Sequence, residues 1–332
     1  MFLGIDIHKR EAQVAVRNDD GDVIEQVRVE NTDLDEIGQQ YAGGEALLEA
    51  TTNYFYIYDM LSEYLDVVVG HPPKLKAIAR TDKKTDKVDA EELSRLLWLG
   101  SVPESYVPTD EIRECRALVR GRISLLEDRT SFANKIHSLL LDNGITRRVK
   151  PLSVKGQAFL EKLSLPAPWD ELLSSYLAVI ETLTAEIEQL DDRIEERAKG
   201  LRETQLLMTI PGIAHYSALV IYAEIGEIGR FDRAKEVVRY VGLNPVIRES
   251  GDSRFEGGIS KKGPGKVRWL LVQAVHSAVH TVEDEYLSRF YHRIERRKNK
   301  QKAAVATARK LLVSIYHMLD RGEVYDPPGV SA

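Results

Sequence analysis

Four carboxylates early in the chain are spaced so that they could act together. Asp6 closes Gly4-Ile5-Asp6, Glu49 closes Leu47-Leu48-Glu49, and Asp86 and Asp89 lie three apart in Thr85-Asp86-Lys87-Val88-Asp89-Ala90. Residues i and i+3 share one face of a helix, so a helix here presents Asp86 and Asp89 side by side. Clustered carboxylates are hard oxygen donors suited to Mg²⁺ or Mn²⁺. Two such ions about 3.5–4 Å apart can cleave a phosphodiester, one activating the attacking oxygen and the other stabilising the leaving oxygen. Carboxylates that close repel one another, so cation binding would help to organise them. Taken singly, each acid has a plainer reading: an Asp at a strand end caps a turn, and Asp86 with Asp89 could be a solvated helix face. Convergence of all four is what would make a site.

A second group of candidates lies in a basic, Gly-rich stretch. Gly242-Leu243-Asn244-Pro245 leads to Arg248-Glu249-Ser250-Gly251, then to Ser253-Arg254 and Gly257-Gly258-Ile259-Ser260-Lys261-Lys262-Gly263. A serine hydroxyl attacks phosphorus when a base or metal assists it and cations hold the phosphoryl oxygens. Arg248, Arg254, Lys261 and Lys262 are candidate cations. The residues alone do not choose among Ser250, Ser253 and Ser260, and a loop serine is ordinarily a turn residue. Further on, Arg289, Arg293, Arg296, Arg297, Lys298, Lys300, Lys302, Arg309 and Lys310 are set against one acid, Glu295, with Phe290 and Tyr291 among them. That density of positive charge suits a phosphate-binding surface better than an ordinary solvated helix face.

The elements that must position the acids can be read from the apolar pattern. Residues 2–7 are a short buried strand. Val14 and Val16 mark a second strand and Val23, Val27 and Val29 a third, with hairpin chemistry at Asn18-Asp19-Asp20-Gly21-Asp22 between them. A helix is expected over 33–41, a strand at 47–50, a helix over 54–64, a strand at 67–69 stopped by Pro72-Pro73, and a helix over 85–99. The order βββαβαβα is that of a ribonuclease-H-like mixed sheet, in which the first and fourth strands are neighbours and the last helix packs beside their ends. Asp6, Glu49, Asp86 and Asp89 would then converge.

Pro103 and Pro108 mark a linker, and long helices are expected over 110–142 and 169–199. In the second, Leu173, Ile180, Ile187 and Ile194 recur every seven residues, with Tyr176, Leu183 and Leu190 between them, which suits the seam of a coiled-coil arm or, more plainly, one helix packed in a bundle. From 201 onward the chain reads as mostly helical with Gly-rich breaks at 211–212, 242 and 257–265. Ile210-Pro211-Gly212-Ile213, followed by a helical run to Ile225, has the form of a helix-hairpin-helix. Its turn could offer backbone N–H groups to a phosphate, or it is simply the start of a core helix. The expected organisation is an acidic catalytic domain over 1–107, a helical coiled-coil arm over 108–200 and a mostly helical domain over 201–332.

Bulk properties set limits. With 332 residues and 43% hydrophobic residues, the chain is sufficient for two or three cores. A single cysteine, Cys115, excludes an internal disulfide and a Cys-based zinc site. No apolar run approaches a membrane span, and Met1-Phe2-Leu3-Gly4-Ile5-Asp6 reads as a strand rather than a leader, so a cytoplasmic location without membrane contact is expected. The net charge of −6 argues against a nucleic-acid partner only if the charge is evenly spread. It is not: acids gather at 19–22 and 186–196 and cations at 289–310.

Gly4-Ile5-Asp6-Ile7-His8-Lys9, Glu49-Ala50-Thr51 and Lys84-Thr85-Asp86-Lys87-Val88-Asp89-Ala90 resemble the three acidic motifs of the DEDD insertion-sequence transposases, the insertion-sequence 110 family of bridge-RNA-guided recombinases. The similarity runs along nearly the whole chain. It implies a RuvC/ribonuclease-H-like domain whose Asp-Glu-Asp-Asp tetrad, here Asp6, Glu49, Asp86 and Asp89, holds Mg²⁺ (or Mn²⁺). It also implies a C-terminal transposase domain with a nucleophilic serine in a Glu-Ser-Gly segment, matched here by Ser250. By the same resemblance, Ser250 attacks a DNA phosphate to give a covalent phosphoserine, and the two halves of the site come from different subunits of dimers that assemble into tetramers. The implied partners are double-stranded element-end and target DNA and a structured non-coding guide RNA. Arg248, Arg254, Ser260, Lys261, Lys262, Arg293, Arg296, Arg297, Lys298, Lys300 and Lys302 then read as nucleic-acid contacts. One departure is Thr52-Asn53-Tyr54, where the family often has Gly before the aromatic residue; it should alter the loop and not the metal site. A RuvC-type junction resolvase would use the same acids with water and without Ser250. A catalytically inactive nucleic-acid-binding protein would keep the fold and lose the metal chemistry. An actin-like kinase shares a Gly-Ile-Asp strand, but the C-terminal half has no Gly-rich phosphate motif.

Overall fold

The computed structural model describes residues 1–51, 53–78, 85–250, 253–281 and 284–327, with side chains described throughout except at 247–250 and 253–256. The chain divides into two compact units, Met1–Val107 and Pro108–Ala332.

In the first unit, strands β1 (Phe2–Ile7), β2 (Glu11–Arg17), β3 (Val23–Glu30), β4 (Glu45–Glu49) and β5 (Asp66–Gly70) form one sheet in the order β3-β2-β1-β4-β5. β2 is antiparallel to both β1 and β3, while β4 runs parallel to both β1 and β5. This is the expected ribonuclease-H-like sheet. Alternation divides β1 between two faces. Leu3, Ile5 and Ile7 enter a core with Leu48 and with residues of α1 (Leu34–Gln40) and α2 (Tyr54–Leu61). Gly4 and Asp6 face the opposite way. On that side Leu47 packs with Leu75 of α3 (Pro72–Ile78) and with Leu93, Leu96 and Leu97 of α4 (Asp86–Trp98). Each such leucine contributes roughly 1.5–3 kcal/mol of burial, which holds α4 across the middle of the sheet.

Two local features differ from the pattern reading. Pro72-Pro73 does not merely stop the chain after β5 but opens α3. Proline is at home in a first helical turn, where its missing N–H has no partner to lose. Asn53 precedes α2 with φ 61°. Asn is among the few residues other than Gly that enter the left-handed region readily.

In the second unit, α5 (Asp110–Asp142) and α7 (Trp169–Gly200) lie side by side, with the short α6 (Val154–Leu160) between them in sequence. Glu114 meets Arg197 at 3.2 Å, Arg122 forks onto Asp191 at 2.6 and 3.0 Å, and Arg129 donates to Thr184 at 3.2 Å. The partners run in opposite order, so the pair is antiparallel. The seven-residue stripe of α7 is therefore answered within the same chain. Leu173 and Ile180 join Ile136, Leu139 and Leu140 of α5 in one core, and Ile194 joins the larger C-terminal one.

That larger core surrounds α9 (His215–Ile225), which is buried from Ala218 to Ile225 and packs against α5, α7, α11 and the preceding α8 (Arg202–Met208). Gly212 in the α8–α9 turn has φ +84°, and a Cβ there would lie 2.7 Å from the Ser277 Cβ of α11 (Gly265–His280). The helix-hairpin-helix form is thus packed into the core along most of its second helix. After α10 (Ala234–Val241) the chain departs from the mostly helical reading: β6 (Pro245–Ser250) and β7 (Ser253–Ile259) form an antiparallel hairpin in which Ser250 is registered with Ser253. Gly257 and Gly258, read as part of a break, lie within a strand. Two helices complete the unit, α12 (Glu285–Arg297) and α13 (Lys300–Arg321). Among the described residues no helix is long and apolar enough to cross a membrane.

Candidate active site

Asp6 and Glu49 reach one cleft because of strand register. Ile5 is paired with Leu48, so the next residues, Asp6 and Glu49, stand side by side on neighbouring parallel strands, on the face covered by α4. Asp86 and Asp89 arrive from α4 itself. Thr85 caps that helix, its hydroxyl accepting from the Val88 N–H at 3.4 Å, and both acids fall in the first turn. Negative charge there is favoured by the helix dipole, so what starts the helix also loads its end with carboxylates.

The resulting cleft, about 910 Å³, is lined by Asp6, His8, Glu49, Asp86, Asp89 and Glu92, with Lys76 at its edge. Burial pushes the Asp6 carboxyl above its ordinary value; nearby His8 pulls it down, and Asp89, Asp86 and Glu49 each push it up. Asp6 therefore feels all three other acids. Among the described residues, Lys76 Nζ is 3.8 Å from Glu49 Oε1, and Arg28 is 3.9 Å from Asp86 Oδ2 while chiefly engaged with Glu11. Excess negative charge on hard oxygen donors is the donor set that divalent cations bind. Asp6, His8 and Asp86 each place a ligand atom within 4.8 Å of the other two.

His8 was not singled out from the sequence. The available signal was the strand period: it follows Asp6 by two positions, and so emerges on the same side. Gly4 is the other residue on which the cleft depends. A Cβ at Gly4 would lie 2.1 Å from the Ala90 carbonyl oxygen and 2.2 Å from the Ser94 nitrogen, both backbone atoms of α4. Gly4→Val must therefore push α4, with Asp86 and Asp89, away from Asp6. Overpacking of this kind destabilises by about 1–3 kcal/mol or more, and strand cleavage should be lost with it. Gly121→Ala is the matched control, since nothing lies within 4 Å of that added Cβ inside α5. Thermal unfolding of both variants checks this; a wild-type midpoint for Gly4→Val would contradict it.

The basic candidates lie in the second unit. Ser250, Arg248 and Arg254 are on the β6–β7 hairpin, and their side chains lie outside those described. The Ser260 hydroxyl donates to Asn244 Oδ1 at 2.7 Å, so it is engaged within the fold. Lys261 and Lys262 are exposed on a loop held against the end of α10. Gly242 and Gly263 permit that approach, and Arg268 secures it by donating to the carbonyls of Val241 and Lys262 at 2.8 and 2.9 Å. Arg293, Arg296, Arg297, Lys298, Lys300 and Lys302 are all exposed around the α12–α13 junction, where Asn299 caps α13. Half-buried Lys310 lies 3.6 Å from the Tyr286 ring centre, and burial together with Arg293 and Arg289 lowers its pKa.

Residues 3–143 match the DEDD transposase model of IS110, and residues 204–292 match the transposase model of the IS116/IS110/IS902 family. The transposase for insertion sequence element IS1111A of Coxiella burnetii is 26% identical over 337 residues, covering 98% of this chain and 91% of that protein. A probable family 20 transposase of Pseudomonas aeruginosa is 28% identical over 274 residues, covering 78% of this chain and 80% of that protein. The first family match covers nearly all of the first unit and runs on through α5, the second lies within the second unit, and together they take in more than half of the chain, which belongs to the IS110 family of insertion-sequence transposases.

Proposed function

We propose that this transposase cuts and rejoins DNA through a metal-dependent centre at Asp6, Glu49, Asp86 and Asp89 with Ser250 as the nucleophile, guided by a structured RNA. The observation that carries the metal centre is the convergence of four carboxylates on one cleft, felt as the upward push that three of them exert on Asp6. These four residues would hold Mg²⁺ or Mn²⁺, which supplies charge neutralisation at the phosphate and a more acidic attacking oxygen. The carboxylates position and charge-balance the centre. Ser250 gives up its hydroxyl proton as its oxygen bonds to phosphorus, one phosphate–deoxyribose P–O bond breaks, and the leaving oxygen takes up a proton, so that protons balance over the step. The phosphoserine conserves the bond energy for rejoining to a second strand. Family likeness supports Ser250 and the RNA, and with them a three-part division at about residues 107 and 200, a cytoplasmic location, and dimers pairing into tetramers so that acids and serine come from different subunits.

Arg248 and Arg254, with the exposed cations at 261–262 and 293–302, would hold DNA or RNA phosphates. Each phosphate neutralised contributes about 0.9 to the slope of log affinity against log salt on duplex DNA. Replacing Arg296, Arg297 and Lys298 together by Gln should therefore reduce that slope by up to about 2.7. Filter binding of end DNA across a salt series measures it; an unchanged slope would remove these residues from the interface. The catalytic reading is tested by cleavage of labelled end DNA with Mg²⁺ and with a chelator: cleavage that survives chelation would overturn the metal centre.

A further inference from the structure

We propose that His8 is a direct ligand of the divalent cation in the carboxylate cleft, so that the site combines imidazole nitrogen with carboxylate oxygen and binds Mn²⁺ more tightly than Mg²⁺; this rests on the metal centre proposed above. His8 Nε2 lies 3.3 Å from Asp6 Oδ2 and 3.3 Å from Asp86 Oδ2. It is shielded from solvent, yet it has no hydrogen-bond partner among the described residues. A ring nitrogen withdrawn from water and left without a partner is unfavourable. A cation shared with the two carboxylates satisfies it.

The ring is delivered to that place by backbone contacts that do not involve the acids. The His8 N–H donates to the Glu11 carbonyl at 2.9 Å, which closes the β1–β2 turn. The His8 carbonyl accepts from Asn31 Nδ2 at 3.0 Å, and Asn31 is itself buried. This anchoring fixes the residue on the cleft side of the sheet whether or not a cation is bound. Mg²⁺ is best satisfied by oxygen alone, whereas imidazole favours transition ions. One nitrogen among the oxygen donors therefore shifts preference toward Mn²⁺. The competing role is a counter-ion, with protonated His8 lying between two carboxylates and displaced when the metal enters.

Pulsed electron paramagnetic resonance on the full-length protein loaded with Mn²⁺ separates the two, because a coordinated imidazole imprints ¹⁴N modulation on the Mn²⁺ signal. Wild type should show that modulation. His8→Ala and His8→Asn should lose it while still binding Mn²⁺, with affinity lowered by roughly tenfold or more and with Mg²⁺ affinity changed less. His8→Asn keeps an oxygen donor and the smaller perturbation to folding. Bound Mn²⁺ in wild type without ¹⁴N modulation, weakened by Asp89→Asn but not by His8→Ala, would overturn the assignment of His8 and leave the carboxylate centre standing. Absence of any bound Mn²⁺ that depends on Asp6 or Asp89 would overturn both.

Discussion

Asp89→Asn is expected to abolish DNA strand cleavage while leaving DNA affinity nearly unchanged. Asn preserves the size of the side chain and its place in the first turn of α4, and the fold loses only a favourable charge at a helix N-terminus, about 0.3–1 kcal/mol. The exposed cations lie in the other compact unit and are untouched. What changes is the negative charge available to hold a cation. Metal assistance is worth several kcal/mol of transition-state stabilisation, so the single-turnover rate should fall by roughly a thousandfold or more. Asp6→Asn should be equally inactive and should differ in stability. Burial and three nearby acids raise the folded-state pKa of Asp6 above its ordinary value. A raised carboxyl favours folding while protonated, and its ionisation opposes folding as pH rises through the folded pKa. At neutral pH without a divalent cation, Asp6→Asn should therefore melt above wild type, as expected where function is kept at the expense of stability. A lower melting midpoint for Asp6→Asn in chelator would contradict this account of the cluster.

Ser250→Ala should reduce recombination between element ends and target to background, again by roughly a thousandfold or more, because it removes the proposed nucleophile. Ser253 is registered with Ser250 across the hairpin, and adjacent residues on paired strands can be confused in function. Ser253→Ala is therefore the informative companion variant. Ser260 is a weaker competitor because its hydroxyl is engaged with Asn244. A plasmid recombination assay with all three alanine variants checks the assignment. Normal recombination by Ser250→Ala alongside loss in Ser253→Ala would move the nucleophile across the turn.

The acidic half was legible in sequence for a physical reason. Glu49 ends an apolar strand and Asp6 stands one residue before the end of another, and a charged residue at such a place is conspicuous. Asp86 and Asp89 carry the helical spacing. The elements along the chain followed from the apolar patterns, and the pairing of the first and fourth strands from likeness to a ribonuclease-H sheet. His8 was not conspicuous because it lies just past the strand and its partners are distant in sequence. The hairpin at 245–259 was hidden because Gly257 and Gly258 have no side chains to report a period, and strand pairing is non-local. For α7 the seven-residue stripe showed that a partner helix was needed, but its identity as α5, running antiparallel, rests on pairs such as Arg122 with Asp191 that no local pattern reveals.

The measurement that most directly tests the central claim is a denaturing gel of labelled element-end DNA incubated with Mg²⁺, the RNA flanking the element and either wild type, Asp89→Asn or Ser250→Ala. The account predicts a protein-linked DNA band in wild type and in neither variant. Equal cleavage by wild type and Ser250→Ala, with no linked band in either, would contradict it and would assign the carboxylate cleft to a nuclease that uses water.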